Sequence, residues 1–473
     1  MNQPGALELS ETEVRHLVEA VVERITTLYA ELPHRPADTS PAADPAAIRS
    51  LIEPLPTEPS KLDDLLDLIF DRATAAGLNP ISPGFMGYVP GGGLFHAAVA
   101  DLIADTINQY VAVSAVAPVL NQLETNVIRW LCQIIGYPES ARGFLTSGGS
   151  MATLSAITTA RDIHLGEKFS DGVIYVSDQV HHCVTKAAVL SGFPRSMIRI
   201  LPADKAFRLK PEAVEEAIRR DRRRGLRPFM IVASAGTVNT GTVDALPSLA
   251  ALARREGLWL HVDAAYGGLF RLTDRGKEIL RGIDEADSVV VDPHKTLFLP
   301  YGTGCLMVRE GRHLHRTHGS SADYLPALQA SDADAWDFCE ISPELTRPFR
   351  GLRVWLPMKL YGAGVFRDYL DEKLDLARWV EGRIREIPEL EILAPAELSI
   401  LAFAAVCHGC PIEERNERTR RLIKLINEKN RVHLTGTVLD GLFAIRIAVV
   451  AYRTHRDRME MLLEDLTTSL AEL

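Results

Sequence analysis

A lysine that follows a buried strand is the residue of this sequence best suited to covalent chemistry. The apolar run 289–291 predicts a strand buried on both faces, and the residues Asp-Pro-His-Lys follow it directly, ending at Lys295. In open α/β sheets, ligands bind beyond the carboxyl ends of the strands. Apolar walls there disfavour the charged ammonium and leave an amine able to attack a carbonyl. Although a lone lysine after a strand is more often a surface residue, we predict that Lys295 forms a Schiff base.

An acid closes a second predicted strand. The apolar stretch 258–262 ends at Asp263, which is followed by the small residues Ala264 and Ala265. Small side chains let a flat ring lie close, and a carboxylate there can hold a ring nitrogen protonated. Pyridoxal 5'-phosphate (PLP) needs such a partner, so we predict PLP as the cofactor.

Two further segments supply what a phosphorylated ring would require. Ser147, Gly148 and Gly149 form a turn between a predicted strand and a predicted helix, where backbone N–H groups and the helix dipole favour a phosphate. His181 ends another predicted strand, and its imidazole could stack on the ring. Each signal is weak alone, whereas their order along the chain is specific.

Four motifs give the sequence a family resemblance. These are SDQVH at 177–181, HVDAAYGG at 261–268, DPHK at 292–295 and FRGLRVW at 349–355. Over nearly its whole length the chain resembles the group II PLP-dependent amino-acid decarboxylases, which include aromatic-L-amino-acid, tyrosine, tryptophan and glutamate decarboxylases. The resemblance implies an α/β fold of the PLP-dependent transferase-like class, aspartate aminotransferase type (fold type I).

The predicted elements agree with that fold. Strand and helix patterns alternate from about residue 96, which indicates βαβ units and a mainly parallel central sheet. The predicted strands of this sheet are 142–146, 173–177, 197–201, 228–234, 258–263, 287–292 and 303–308. The C-terminal part is predicted as strand 391–407, helix 413–429, strands 431–435 and 442–450, and helix 454–471. We therefore expect an N-terminal helical segment (1–95), a large PLP-binding α/β domain (96–370) and a small α+β domain (371–473).

The resemblance also implies roles for individual residues. Lys295 would carry the cofactor, Asp263 would face the ring nitrogen and His181 would stack on the ring. Tyr324, in the long polar segment 313–347, aligns with a mobile-loop tyrosine that protonates the substrate's Cα. The predicted cofactor-binding set is completed by His294, on the phosphate, and by Thr237 and Ala265. Tyr88, Pro90 and Arg446 are predicted to bind substrate, although a structural role for Arg446 is an equal alternative.

Two departures from the resembled aromatic decarboxylases bear on the site. Asp292 stands where they have asparagine; because a carboxylate near a phosphate is costly unless it is protonated or faces away, we leave Asp292 out of the predicted binding set. Ala112 and Ser114 stand where they place phenylalanine and tryptophan in the substrate wall. The pocket is therefore expected to be wider or less aromatic, and the substrate stays open.

The predicted activity is PLP-dependent decarboxylation of an aromatic L-amino acid to its amine and carbon dioxide, which makes the protein a carboxy-lyase. The alternatives are a non-aromatic substrate, for example an acidic one, and a decarboxylating aldehyde synthase or another PLP lyase on the same fold. The resembled aldehyde synthases carry phenylalanine at the position of Tyr324, so this sequence favours simple decarboxylation. A catalytically silent cofactor-binding protein would not need Lys295, Asp263, His181 and Tyr324 together.

Composition restricts the partners. The net charge of −10 argues against binding to nucleic acid or an anionic membrane. Neither a secretory signal nor an apolar run of membrane-spanning length is found in the sequence, and the six scattered cysteines are typical of reduced thiols, so we expect a cytoplasmic enzyme. The CHGC sequence at 407–410 is predicted to be a turn, and no metal site is predicted. A homodimer with active sites shared between subunits is expected, because the apolar stripe of the first helix must be buried against another surface.

Overall fold

A seven-stranded sheet runs through the centre of the described chain, which in this computed structural model comprises residues 7–39, 44–319 and 336–473. Its strands are β1 Arg142–Thr146, β2 Gly172–Ser177, β3 Ile198–Leu201, β4 Arg227–Ser234, β5 Trp259–Asp263, β6 Ser288–Val291 and β7 Gly304–Val308. They are ordered β1-β7-β6-β5-β4-β2-β3, and β7 is antiparallel to both of its neighbours. The other pairings are parallel, which confirms the prediction of a mainly parallel sheet.

Helices pack against this sheet, and so its inner strands are buried and mainly apolar. In β6, for example, Val289, Val290 and Val291 are completely buried. The helices of the described chain are α1 Glu11–Glu31, α2 Pro45–Arg49, α3 Leu62–Asp67, α4 Phe95–Ile107, α5 Pro118–Ile135, α6 Gly149–His164, α7 His182–Leu190, α8 Pro211–Arg223, α9 Leu246–Glu256, α10 Asp274–Ile279, α11 Pro293–Thr296, α12 Arg312–His318, α13 Phe338–Ile341, α14 Gly351–Arg385, α15 Ile412–Glu428 and α16 Arg456–Ala471. The long helix α14 is kinked at Gly362, whose φ is +73°, and it continues past residue 370, where we predicted a domain boundary.

A second, antiparallel sheet lies in the C-terminal part and corrects two predictions. Its strands are β8 Leu390–Ala394, β9 Ile400–Ala405, β10 Thr435–Leu439 and β11 Leu442–Ala448, in the order β10-β11-β9-β8. The predicted single strand 391–407 is wrong, because the chain turns after Ala394 and Pro395 has no N–H to continue a ladder. The predicted strand 431–435 is also wrong: His433 pairs with the loop at Phe85 and lies outside the sheet.

The first helix starts as the sequence predicts. The Ser10 hydroxyl accepts from the Glu13 N–H, and the Glu13 carboxylate accepts from the Ser10 N–H at 2.7 Å, which forms the capping box. No residue of α1 is buried. Val14, Val18 and Val22 recur every fourth position and are between 42% and 47% exposed, so α1 presents an uncovered apolar stripe.

The cysteines differ from the expectation of six reduced thiols. Cys407 and Cys410 form a disulfide across the turn at the end of β9, where their Cα atoms are 5.7 Å apart, within disulfide range. The other four, Cys132, Cys183, Cys305 and Cys339, are free and buried. Over the described ranges, no helix combines the length and the apolar character needed to cross a membrane.

Candidate active site

A cavity of about 390 Å³ opens at the carboxyl edge of the central sheet, where the sequence predicted a ligand site. It is bounded by the residues that follow β1, β4, β5 and β6, which the parallel arrangement brings to one edge. All nine residues of the predicted cofactor set line it: Ser147, Gly148, Gly149, His181, Thr237, Asp263, Ala265, His294 and Lys295. The volume lies in the range of small-molecule and cofactor sites.

The turn between β1 and α6 has the form of an anion site. Gly148 adopts a φ of +155°, which glycine reaches without strain, and its N–H donates to the Thr146 hydroxyl at 3.2 Å. The N–H groups of Gly149 and Ser150 open the 16-residue helix α6 and have no acceptor among the described residues. Together with the hydroxyls of Ser147 and Ser150 they fit a phosphate.

Lys295 is paired with a carboxylate, which corrects the expected electrostatics. Its Nζ lies 3.0 Å from Oδ2 of Asp292. Burial alone would lower the pKa of Lys295, but the carboxylates of Asp292 and Asp263 outweigh it and raise that pKa above its ordinary value. The prediction that desolvation leaves this amine neutral is therefore wrong for the cofactor-free protein, in which Lys295 is an ammonium.

Asp263 closes β5 between two parallel neighbours and is almost completely buried. Its Oδ1 accepts from the Ala265 N–H at 3.2 Å, which directs the carboxylate along the floor of the cavity. Gly149 and Ala265 lie opposite each other there: a Cβ on Gly149 would stand 3.3 Å from the Ala265 methyl group. Both positions are therefore small and closely packed at the cavity, and room for a flat ring beside Asp263 stays a prediction.

Two histidines of the cavity are held in defined orientations. The His181 Nδ1 accepts from the Cys183 N–H at 3.2 Å, and burial lowers the pKa of His181, so its ring is neutral and carries its proton on Nε2. The His294 Nδ1 lies 2.7 Å from the carbonyl oxygen of Thr303, and burial likewise lowers the pKa of His294. Both rings can therefore face a cofactor without adding charge.

Comparison with known proteins decides what this cavity is. The family described as the pyridoxal-dependent decarboxylase conserved domain matches residues 45–406. The chain belongs to the pyridoxal-dependent decarboxylase family. It is 33% identical to an aromatic-L-amino-acid decarboxylase of Bacillus atrophaeus over 455 residues, covering 96% of this chain and 94% of the relative. The predicted family, the PLP cofactor and the carboxy-lyase activity are thereby confirmed.

Two other relatives bear on the fold and on the alternatives. The fold matches that of Oryza sativa TDC, solved with PLP and tryptamine, with a TM-score of 0.92 at 24% identity over 100% of this chain and 99% of the other. This confirms the predicted fold type I. A phenylacetaldehyde synthase of Arabidopsis thaliana is 26% identical over 421 residues, covering 86% of this chain and 85% of the relative.

The predicted substrate residues of the decarboxylase lie near the cavity in different ways. Tyr88 and Pro90 are absent from its described lining, whereas Val89 between them lies in it. Pro90 lines a second, smaller cavity of about 160 Å³, which shares His294 with the first. Arg446 also lies outside the described lining; its buried guanidinium donates to the Tyr88 carbonyl at 2.9 Å and so supports this loop.

Several lining residues of the decarboxylase escaped prediction. They are Val89, Cys183, Ser234, Gly236, Val238, Tyr266 and Asp292. Ser234 and Tyr266 carried a usable signal, because each lies at or just beyond a predicted strand end. Asp292 was left out on the ground that it would have to be protonated or face away; it lies in the cavity and contacts Lys295.

Other predicted positions fall elsewhere. Ala112 and Ser114 are buried away from the described lining of this cavity, and the carbonyl of Ala112 accepts from the Cys339 N–H. Tyr324 lies outside the described residues, so its role stays a prediction.

Proposed function

We propose that this enzyme decarboxylates an aromatic L-amino acid to its amine and carbon dioxide, with the residues of the cavity in the roles assigned from the sequence. The proposal rests on one observation: a single cavity is lined by Lys295, Asp263, His181 and the turn 147–149. When bound, PLP supplies the electron sink for the pair left on Cα by the departing carboxylate. The protein must then bind and orient the cofactor and the substrate, and it must exclude water from the cavity.

Each side chain has a task consistent with its surroundings. Lys295 would hold the cofactor covalently through its ε-amine, and the Asp263 carboxylate would keep a proton on the ring nitrogen. The neutral His181 imidazole would pack against the ring face. The free N–H groups at the start of α6 would bind the phosphate, which fixes the ring relative to Lys295.

Arg446 is proposed to hold the substrate carboxylate. No described carboxylate forms an ion pair with it, its Nε has no partner, and burial lowers the pKa of Arg446 to about 10. Its other contacts are with neutral oxygens of Tyr88 and Thr435. A buried cation without a counter-charge gains from binding an anion, and the substrate provides one.

The lining favours a substrate with an uncharged side chain. Apart from the histidines, Lys295 is the one cation among the described lining residues, and it is needed for the cofactor. A second carboxylate on an acidic amino acid would find no free cation there, whereas Val89 and Val238 offer apolar contact. The relative from Bacillus atrophaeus, named for aromatic amino acids, supports the same choice.

The test is a product screen with purified, PLP-loaded enzyme over aromatic, acidic and basic L-amino acids, in which amine and carbon dioxide are measured. We expect aromatic amine as the main product, with Lys295→Ala as the inactive control. If an acidic or basic amino acid reacts fastest, the substrate class is wrong. If Lys295→Ala retains the wild-type rate, the role of Lys295 is wrong.

The aldehyde synthase alternative is kept because one of the relatives above is a phenylacetaldehyde synthase. We predict that Tyr324→Phe removes the acid that protonates Cα but leaves the aromatic body. Positioned acids contribute about a hundredfold to ten-thousandfold, so amine formation should fall by that order. Molecular oxygen would then oxidise the substrate instead, so that aldehyde, ammonia and hydrogen peroxide appear. The amine and the aldehyde are measured by chromatography, with wild type as the reference. Normal amine formation without aldehyde would assign the proton donor to another residue, with His181 the next candidate.

The proposal includes a homodimer in the cytoplasm. The exposed stripe of α1 supports the dimer. The cytoplasm is kept from the sequence analysis: the Cys407–Cys410 disulfide does not favour a reducing compartment, although the other four cysteines are free.

A further inference from the structure

Asp292 is a buried carboxylate with one oxygen engaged and one free. The side chain follows β6 and is 3% exposed. Its Oδ2 lies 3.0 Å from Nζ of Lys295 and 3.6 Å from Nε2 of His294, while its Oδ1 has no hydrogen-bond partner among the described residues. A charged oxygen left without a partner in a dry site is costly, so this carboxylate needs a functional account.

The carboxylate lies directly against the turn that we assign to the phosphate. A Cβ placed on Gly149 would stand 3.2 Å from Oδ2 of Asp292, and a Cβ on Gly304 would stand 2.8 Å from Oδ1. At Gly304 the backbone of Gly148 is closer still, at 2.6 Å, so the carboxylate and the turn pack directly against each other. A phosphate at the turn and an ionised Asp292 would then be two anions side by side, which is strongly unfavourable in a partly dehydrated cavity.

Lys295, by contrast, carries a proton that it has to lose. Its ammonium has no lone pair, so it must lose a proton before it can attack the cofactor's aldehyde. Burial acts to lower the pKa of Lys295, but Asp292 and Asp263 raise it above the ordinary value. The nearest base is the carboxylate of Asp292, in direct contact with the ammonium.

We propose that Asp292 accepts a proton from Lys295 as the cofactor binds, so that one transfer across their contact frees the amine and neutralises the carboxylate beside the phosphate. The inference rests on the proposed function. The proton moves from Nζ to the carboxylate, and the lone pair on Nζ then forms the bond to the aldehyde carbon. The aldehyde oxygen leaves as water with the two remaining amine hydrogens. Asp292 keeps the third.

Other titratable groups face Asp292 and could compete for the proton. They come from every element packed around it, namely His181, Cys183, Asp263, His294, Lys295 and Cys305. Burial raises the pKa of Cys183 to about 12 and lowers the pKa of His181 and His294, so the thiol stays protonated and both imidazoles stay neutral. Apart from Lys295, which is the proton source, His294 is the strongest rival, because its Nε2 lies 3.6 Å from Oδ2 of Asp292.

Proton counting on cofactor binding tests the transfer. Titration calorimetry of the apoenzyme with PLP at pH 7.5, in buffers of different ionisation enthalpy, gives the number of protons released. We expect Asp292→Asn to release one proton more than wild type, because the amide cannot store it. The PLP affinity of the variant should therefore gain about tenfold per pH unit relative to wild type as pH rises. Equal proton counts would overturn the proposal.

Three controls locate the proton. Pyridoxamine 5'-phosphate carries the phosphate without the aldehyde and should show no difference between wild type and Asp292→Asn; a one-proton difference there would mean that Lys295 is not the source. His294→Gln should keep the wild-type count, and an additional released proton would transfer the role to His294. Asp287→Asn removes a half-buried carboxylate at the opposite end of β6 and should also match wild type.

A measurement on wild type alone covers the case in which Asp292→Asn does not fold. The infrared difference spectrum between the PLP-bound and the cofactor-free enzyme should contain the carbonyl band of a newly protonated carboxyl group. If the band is absent, the proposal fails. Wild type that does not bind PLP would contradict the proposed function itself, whereas wild type that binds PLP with no such band contradicts this inference alone.

Discussion

We expect Asp263 to act through its charge and not through its shape. Its Oδ1 already accepts one backbone N–H, and its place at the end of β5 is fixed by pairing with Ser234 and Val290 on either side. Replacement by asparagine would keep the volume while removing the negative charge. The electron sink would then lose the group that keeps its ring nitrogen protonated.

We predict that Asp263→Asn weakens PLP binding and lowers kcat about a hundredfold or more, the order seen when a charge-stabilising group is removed from an active site. The PLP dissociation constant and kcat are measured on the same preparation, with the melting temperature as a check of folding. Asp287→Asn is the matched control and should resemble wild type. Near-normal turnover by Asp263→Asn would remove Asp263 from its assigned role.

At the residue scale, the sequence located the reacting groups but not their charge states. Lys295, Asp263, His181 and the glycine turn could be placed because each follows an apolar strand, and parallel strands bring their ends to one edge. The raised pKa of Lys295 depends on a 3.0 Å contact with Asp292. Side chains three positions apart can point in different directions, so the sequence alone does not show that Asp292 and Lys295 are in contact.

At the scale of elements, a single arginine of α14 fixes the loop behind His294. The Arg353 Nη1 donates to the Gly302 carbonyl and to the Thr303 hydroxyl, both at 3.2 Å, and its Nε pairs with Asp101 of α4. The carbonyl of Thr303 in turn orients the His294 ring. The FRGLRVW motif therefore reaches the cofactor site through the loop 301–303.

We predict that Arg353→Lys raises the PLP dissociation constant about tenfold, because lysine cannot reproduce the planar fork and a hydrogen bond to a charged group contributes about 1.5–3 kcal/mol. Arg353 is a positioning residue, so the absorbance spectrum of bound PLP and its pH profile should shift as well. Arg367→Lys, on the exposed side of the same helix and paired with Asp368 only within its own helix, is the control. If the PLP affinity and the absorbance spectrum of Arg353→Lys equal those of wild type, Arg353 does not influence the cofactor site through the loop 301–303.

Elements were predicted best where burial is two-sided. The strands of the central sheet are mainly apolar, so each appears in the sequence as a separate block between helices. The C-terminal sheet was harder: the run 391–407 contains two strands joined by a turn after Ala394, and the apolar residues near His433 pair with the loop at Phe85. Pairing partners are set by three-dimensional contacts, which local patterns do not contain.

At the scale of the molecule, the stripe of α1 makes a specific prediction about assembly. Val18 is 42% exposed at the centre of the stripe. Val18→Glu would place a charge in the proposed interface, so we expect sedimentation to show a shift from dimer to monomer and activity to fall on dilution. Glu19→Ala, on the polar side of α1, should stay dimeric. An active wild-type monomer would exclude the homodimer.

The last prediction concerns the acid stability of the whole fold. His261 lies in β5, two residues before Asp263, and is completely buried. Its Nδ1 contacts the Ser288 hydroxyl at 2.8 Å, and its Nε2 has no partner among the described residues. Burial lowers the pKa of His261 from 6.5 to about 4, because a proton on this ring would place a charge in the core.

The direction of the effect follows from linkage. Between pH 6.5 and 4 the unfolded chain binds a proton at His261 and the folded chain does not, so the free energy of unfolding falls as pH falls. At about 1.4 kcal/mol per pH unit, His261 accounts for about 2 kcal/mol lost between pH 6.5 and pH 5.

His261→Gln should lose less than wild type by that amount in chemical denaturation at both pH values and equal protein concentration. His318, whose pKa is also lowered to about 4, contributes equally to both proteins and cancels. The exposed His16→Gln should keep the wild-type pH dependence, and an equal loss in His261→Gln and wild type would show that His261 does not carry the acid sensitivity.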